Sequence, residues 1–177
     1  LEKRLPKVAD PDLRQTMADK FAEIRQLTDA MIRTVQEISG ALRPSVLDNL
    51  GLDSAVRFEA NRLQQRTDIV CTAETPEAMP PMDAERATGL FRVFQEILTN
   101  VARHAQATRV DIRLAATSDS LVLEVRDDGR GIAPEQVASA KSLGLLSMRE
   151  RVAQLGGRID FAGEPGQGTT VTVTAPL

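Results

Sequence analysis

Four short stretches of this sequence carry side chains that could do chemistry together. The first is Glu96, Asn100, Arg103 and His104. On a helix turning about 100° per residue they share one side, opposite an apolar face of Leu90, Phe91, Phe94, Ile97, Leu98, Val101 and Ala105. Carboxylate and amide oxygens suit a hard cation such as Mg²⁺, and a guanidinium suits phosphate. A solvated helix face would give the same stripe. The second stretch is Asp127-Asp128-Gly129-Arg130-Gly131. Its glycines let a backbone turn sharply and a flat ligand come close, and the Asp127 carboxylate can accept a hydrogen bond from an exocyclic amine. Ordinary turn chemistry also accounts for it. The third is Gly144-Leu145 opening a helix, where bare backbone N–H groups favour an anion. The fourth is Gly166-Gln167-Gly168-Thr169, which enters a strand and reads equally as a hairpin turn.

Other chemistries fall away. The Asp-rich loop lacks the bidentate glutamate of a calcium loop, because Ala138 stands there, and no Gly-Lys-Ser/Thr occurs for a Walker loop. The single cysteine, Cys71, and the single histidine, His104, cannot make a zinc site or an internal disulfide. A lone cysteine fits a reducing, cytoplasmic compartment. A net charge of −3 argues against general nucleic-acid binding. No run of apolar residues is long enough to cross a membrane, and no signal peptide is visible.

These stretches need elements to position them. The 177 residues suffice for one domain and an appendage. With 42% hydrophobic residues but only 3% aromatic, the core must be mainly aliphatic. Residues 1–5 read as the end of a helix stopped by Pro6, so the chain looks cut from something longer. Asp10-Pro11 then opens a long helix to about Leu42. Along it Met17, Phe21, Ile24, Thr28, Met31, Val35, Ile38 and Leu42 alternate in steps of four and three, a heptad seam. Leu27 and Ile32 widen the stripe toward a four-helix bundle. The seam has no partner within the chain, so a homodimer is expected.

Pro44 and Gly51 break the chain, and the division is placed between residues 48 and 49. Beyond it the pattern predicts a helix over 52–66, a strand over 69–73, a helix over 83–105 capped by Asp83, strands over 109–115 and 121–127, a helix over 145–155, and a hairpin pairing 158–162 with 169–175. That order is not an alternating βα repeat. It implies an α+β fold, a two-layer sandwich with helices on one face of a mixed sheet, preceded by the long helix.

Taken in order, E-x-x-x-N-x-x-R-H, D-x-G-x-G, the Gly-Leu helix start and G-x-G-T resemble the Bergerat ATP-binding fold. Histidine kinases, gyrase-type topoisomerases, heat-shock chaperones and mismatch-repair ATPases share that fold, and the resemblance covers roughly residues 52–177. The junction Ala41–Leu52 and the segment Ser142–Arg151 look like those of nitrate-sensor-type sensor histidine kinases, and the heptad helix then corresponds to the second helix of the dimerisation and phosphotransfer domain.

The resemblance implies ATP and Mg²⁺ as cofactors, with Asn100 and Glu96 at the metal and catalytic centre. Arg103 and His104 would lie toward the phosphates or ribose, and Asp127 would take the adenine amine. Gly129 and Gly131 would shape the pocket, and Gly144 with Leu145 would begin a helix at the phosphates. Gly166 and Gly168 would let Thr169 share a water with Asp127, and residues 132–143 would form a lid. Ser142 departs from the pattern, standing where a glycine often opens the second glycine box. The implied reaction passes the γ-phosphate to a histidine and on to a response regulator. The acceptor histidine of that family precedes the part seen here, and His104 lies in the nucleotide stripe, so this chain alone is expected not to autophosphorylate. Another ATPase or anti-sigma-factor kinase of the same fold, or a dimerisation module with a degenerate site, are the alternative readings.

Overall fold

The computed structural model describes residues 45–133 and 143–177, with Lys20 and Val137 besides. The chain divides into two compact units, Leu1–Pro44 and Ser45–Leu177. The heptad seam expected over residues 17–42 lies outside the described residues, as do Ser142 and most of the expected lid.

The second unit begins with helix α1, Ser45–Arg66, which starts directly after Pro44 rather than at Leu52. Gly51 breaks its geometry with φ 82 and ψ 175, and only glycine takes that backbone without strain. Leu47, ahead of this break, is buried in the same core as Leu52 and Val56. That burial explains why the helical segment reaches back past the expected start. Strand β1, Val70–Glu74, follows. Helix α2, Ala84–Asn100, is capped by Asp83, whose Oδ1 accepts from the Arg86 N–H at 2.8 Å. The sequence predicts one helix to Ala105, but its last part, Val101–Ala105, is a π-helical turn that ends on Gln106 with φ 54.

Strands β2, Arg109–Ala116, and β3, Ser120–Asp127, make a hairpin. Helix α3, Leu143–Gln154, leads into the second hairpin, β4, Arg158–Gly163, and β5, Thr169–Pro176. The five strands lie in the order β1-β2-β3-β5-β4. β1 runs parallel to β2 and every other pair is antiparallel, so the sheet is mixed, as the element order implies.

The period of two along each strand sorts the faces. Val110, Ile112 and Leu114 on β2, Leu121, Leu123 and Val125 on β3, and Val171, Val173 and Ala175 on β5 are all buried. They meet Leu90, Phe91, Phe94 and Ile97 of α2, Ala55 and Val56 of α1, and Met148 and Val152 of α3 in one cluster. Each large side chain so buried contributes roughly 1.5–3 kcal/mol. The other face is polar, with Arg109 paired to Asp111 at 2.9 Å and Arg158 to Asp160 at 2.7 Å. The result is the expected α+β sandwich. Its inward row on β3 ends on a carboxylate, Asp127, where the pattern would otherwise place another apolar residue.

Candidate functional site

Asp127 closes the apolar row Leu121, Leu123, Val125, so the strand's own alternation turns its carboxylate inward. It is 5% exposed, the one polar or charged side chain among the buried described residues. Its Oδ1 accepts from the Gly129 N–H at 2.9 Å and the Thr169 N–H at 3.3 Å. Burial pushes its pKa above the ordinary carboxylate value, and the two backbone donors only partly offset that. Next to it Asp128 behaves in the opposite way. This exposed carboxylate accepts from the Thr108 hydroxyl at 2.6 Å, and from the Thr108 and Arg109 N–H groups, each at 2.8 Å. Those bonds, the Thr108 hydroxyl foremost, hold its pKa below the ordinary value.

The glycine loop after β3 is fastened at both ends. The Arg130 N–H donates to the Ala105 carbonyl at 2.8 Å, and the Arg130 carbonyl accepts from the Gly166 N–H at 2.7 Å. The loop therefore ties the end of the π-turn to the β4–β5 hairpin. Closeness demands glycine here, as two positions illustrate. Any side chain on Gly129 would run into the Ala105 carbonyl, and one on Gly168, where φ is +78, into the Asp127 carbonyl.

Above Asp127 lies a cavity of about 360 Å³. That is within the range of small-molecule sites, roughly 300–1,000 Å³. Ile97, Asn100, Val101, His104 and Ala105 form one wall, and Val125, Asp127, Phe161, Thr169 and Val171 form the floor. Arg130, Gly131 and Ile132 come from the glycine loop, and Gly144, Leu145 and Met148 from α3. The floor is set by register. Asp127, Thr169 and Gly163 make one cross-strand row, and Val125, Val171 and Phe161 make the next inward one. A few polar groups converging over an apolar floor make an arrangement that can hold a flat, polar-edged ligand.

Of the residues singled out in the sequence, Asn100, His104, Asp127, Gly131, Gly144, Leu145 and Thr169 line this cavity. Asn100 and His104 do so beside Ile97 and Val101, not across the helix from the apolar face. Asn100 sits three residues after Ile97, about 60° around the helix, and the π-turn then carries His104 onto the same wall. Glu96 and Arg103 are outside the wall. Arg103 is exposed on the π-turn. Glu96 borders a second recess of about 190 Å³ between α2 and α3, whose lining includes Arg92, Thr99, Ser147 and Arg151. It still reaches the helix start, for a methyl on Gly144 would lie 2.8 Å from Glu96 Oε1. Gly129, Gly166 and Gly168 shape backbone near the cavity without lining it.

Sequence reasoning alone does not single out Val125, Arg130, Ile132, Met148, Phe161 or Val171 as wall residues. Val125 and Val171 carry the signal of inward strand positions, but their joining in one floor depends on register.

Among the described residues no helix is long and apolar enough to cross a membrane, and no group of three or more His, Cys, Asp or Glu side chains could hold a metal ion.

Residues 85–177 match a family model described as histidine kinase-, DNA gyrase B-, and HSP90-like ATPase. The oxygen sensor histidine kinase NreB of Staphylococcus carnosus is 30% identical over 161 residues, which cover 91% of this chain and 46% of that protein. The sensor histidine kinase ComP of Bacillus subtilis is 31% identical over 169 residues, covering 95% of this chain and 22% of that protein. The chain thus spans less than half the length of these curated relatives. Among solved structures, the histidine kinase domain of a blue-light activated histidine kinase from Erythrobacter litoralis superposes with a TM-score of 0.61 at 26% identity, covering 71% of this chain and 61% of that one.

Proposed function

This chain belongs to the histidine kinase-, DNA gyrase B-, and HSP90-like ATPase family, and on that premise we propose that it is the ATP-binding catalytic part of a two-component sensor histidine kinase. The observation that carries the reading is a single cavity with the buried Asp127 carboxylate in its floor and the Asn100 carboxamide in its wall. The names of the two curated relatives described above, both sensor histidine kinases, support the choice within the family.

In this reading the adenine amine donates to Asp127, and the apolar floor takes the base out of water. The triphosphate runs toward Asn100, His104 and the Gly144 end of α3, where backbone N–H groups and the helix dipole favour negative charge. Arg130 adds a cation at the rim, and Arg103 serves from outside the wall. The donor set fits Mg²⁺ shared with the phosphates: such an ion needs only one or two protein oxygens, and Asn100 offers one with Glu96 nearby. When bound, the ion neutralises charge on the transferring phosphoryl group. Glu96 at the Gly144 backbone orders the point where α2 and α3 meet. The protein's own work is positioning and exclusion of water.

The acceptor is a histidine outside this chain, and the phosphoryl group passes from it to a response regulator. Residues 1–44 supply part of a dimerisation and phosphotransfer domain, pairing through the heptad seam, and residues 45–177, the unit in whose core Leu47 is buried, supply the catalytic domain. This part of the protein acts in the cytoplasm, whether or not the parent protein is anchored in the inner membrane.

Thermal melting tests the reading. Mg-ATP at one hundred times its dissociation constant should stabilise the wild-type fold by roughly 2.7 kcal/mol, and Asn100→Ala should remove the gain. Equal melting with and without nucleotide would favour a degenerate module instead. Incubation of this chain alone with radiolabelled ATP should leave no acid-labile phosphate on it, and a labelled His104 would contradict the assignment.

A further inference from the structure

Phe161 is the one phenyl ring in the cavity lining. It occupies the floor row next to Asp127 and Thr169, one inward step, about 6.6 Å, along the strands. That offset places an aromatic ring where the body of a flat base would pack on it once its amine reached Asp127. Between the two rows Gly163 contributes no side chain, and a methyl there would sit 3.1 Å from Ile132 Cγ2. Ile132 of the glycine loop thus comes down beside the slot. The ring does not stand alone, for the Arg149 guanidinium lies over it, 5.5 Å from its centroid. Arg149 is not in the cavity wall, and its contact with the wall is through Phe161. It also sits on α3, the helix whose first turn carries Gly144 at the other end of the cavity.

Resting on the ATP reading above, we propose that Phe161 is the base-contacting wall of the nucleotide site and that Arg149 is a positioning residue holding its ring against α3. The ligand it recognises is the purine base itself, independent of the phosphates. A cation over one face of an aromatic ring fixes the ring by attraction to its quadrupole, and a fixed ring loses less freedom when a base packs on it. A leucine of similar reach would keep the apolar floor but lose that geometry.

Calorimetric titration of this chain with Mg-ATP, with adenosine and with Mg-tripolyphosphate separates the two ends. Phe161→Leu should weaken Mg-ATP and adenosine alike, by about tenfold, and leave tripolyphosphate unchanged. Arg149→Met should weaken adenosine by about threefold, and Arg149→Lys should restore most of it. By NMR, the adenine H2 and H8 protons should move upfield on binding the wild type, and this ring-current shift should vanish in Phe161→Leu. The shift measured on the wild type decides the matter even if that variant folds poorly. No such shift, or a Phe161→Leu chain that binds adenosine as the wild type does or loses tripolyphosphate equally, would overturn this inference alone. A wild-type chain that binds no Mg-ATP would overturn the nucleotide reading and this one with it.

Discussion

The two ends of the cavity are built from different materials. At the floor, Asp127, Thr169, Val171 and Phe161 come from three paired strands, and their spacing is fixed by hydrogen-bonded register. At the far wall, Asn100 ends α2, His104 comes from the π-turn, and Gly144 from the first turn of α3. An error in a strand end propagates through the sheet, whereas an error in a helix turn stays local. The floor should therefore be coupled to stability, and the wall mainly to binding. The π-turn fits this division, since such turns cluster at functional sites at some cost in helical regularity.

The largest effect should come from the floor. Gly168→Val imposes a branched side chain on a left-handed backbone and drives it into the Asp127 carbonyl, so it should cost about 3 kcal/mol in urea unfolding. A midpoint equal to wild type would show that the floor tolerates movement and would erase the contrast. At the wall, His104→Ala removes an exposed side chain, so unfolding should shift by no more than about 0.5 kcal/mol while Mg-ATP affinity falls severalfold. Loss of fold without loss of affinity there would reverse the assignment of roles.

Asp127 and Asp128 sharpen the comparison through opposite pH dependences. Burial raises the pKa of Asp127. Between the ordinary carboxylate value and its folded value the native state still holds a proton that the unfolded chain has released, and its contribution to stability falls as pH rises. Asp128 is held low by its donors, so its stabilisation is present above the ordinary carboxylate value and is lost as pH falls through its folded value. Urea midpoints across the acidic range should thus show Asp127→Asn gaining on wild type as pH rises and Asp128→Asn losing. Two parallel curves would show that the environments do not differ as the geometry requires. For exposed Asp128 solvent screening keeps the effect the smaller of the two. Asp127→Asn should also flatten the pH dependence of Mg-ATP affinity, because the adenine amine prefers the ionised carboxylate.

Much of the fold was legible because its signals are local. Alternation of Val110, Ile112 and Leu114 marks a strand, Asp83 marks a helix start, and Gly156-Gly157 marks a helix end without reference to distant residues. The start of α1 was less so. Pro44 and Gly51 read as breaks, while the burial of Leu47 that recruits residues 45–50 into the core is a tertiary fact. The candidate site divided in the same way. Asp127, the glycines and Thr169 announce themselves by spacing, but Arg103 and Glu96, on the same sequence stripe as Asn100, lie outside the cavity wall.

The sequence by itself determined the order of the elements, the inward face of each strand and the kinds of group available to hold a nucleotide, since all of these follow from short-range periodicity and turn chemistry. Only the tertiary structure decided which groups share a wall. The π-turn rotates His104 onto the side of Ile97 and Val101, strand register sets Phe161 beside Val171 and Val125, and packing of α3 brings Gly144 to Glu96 and Arg149 over Phe161. His104 aside, those neighbours lie about ten to fifty residues apart along the chain, and the shared core that aligns the strands and seats the helices brings them together.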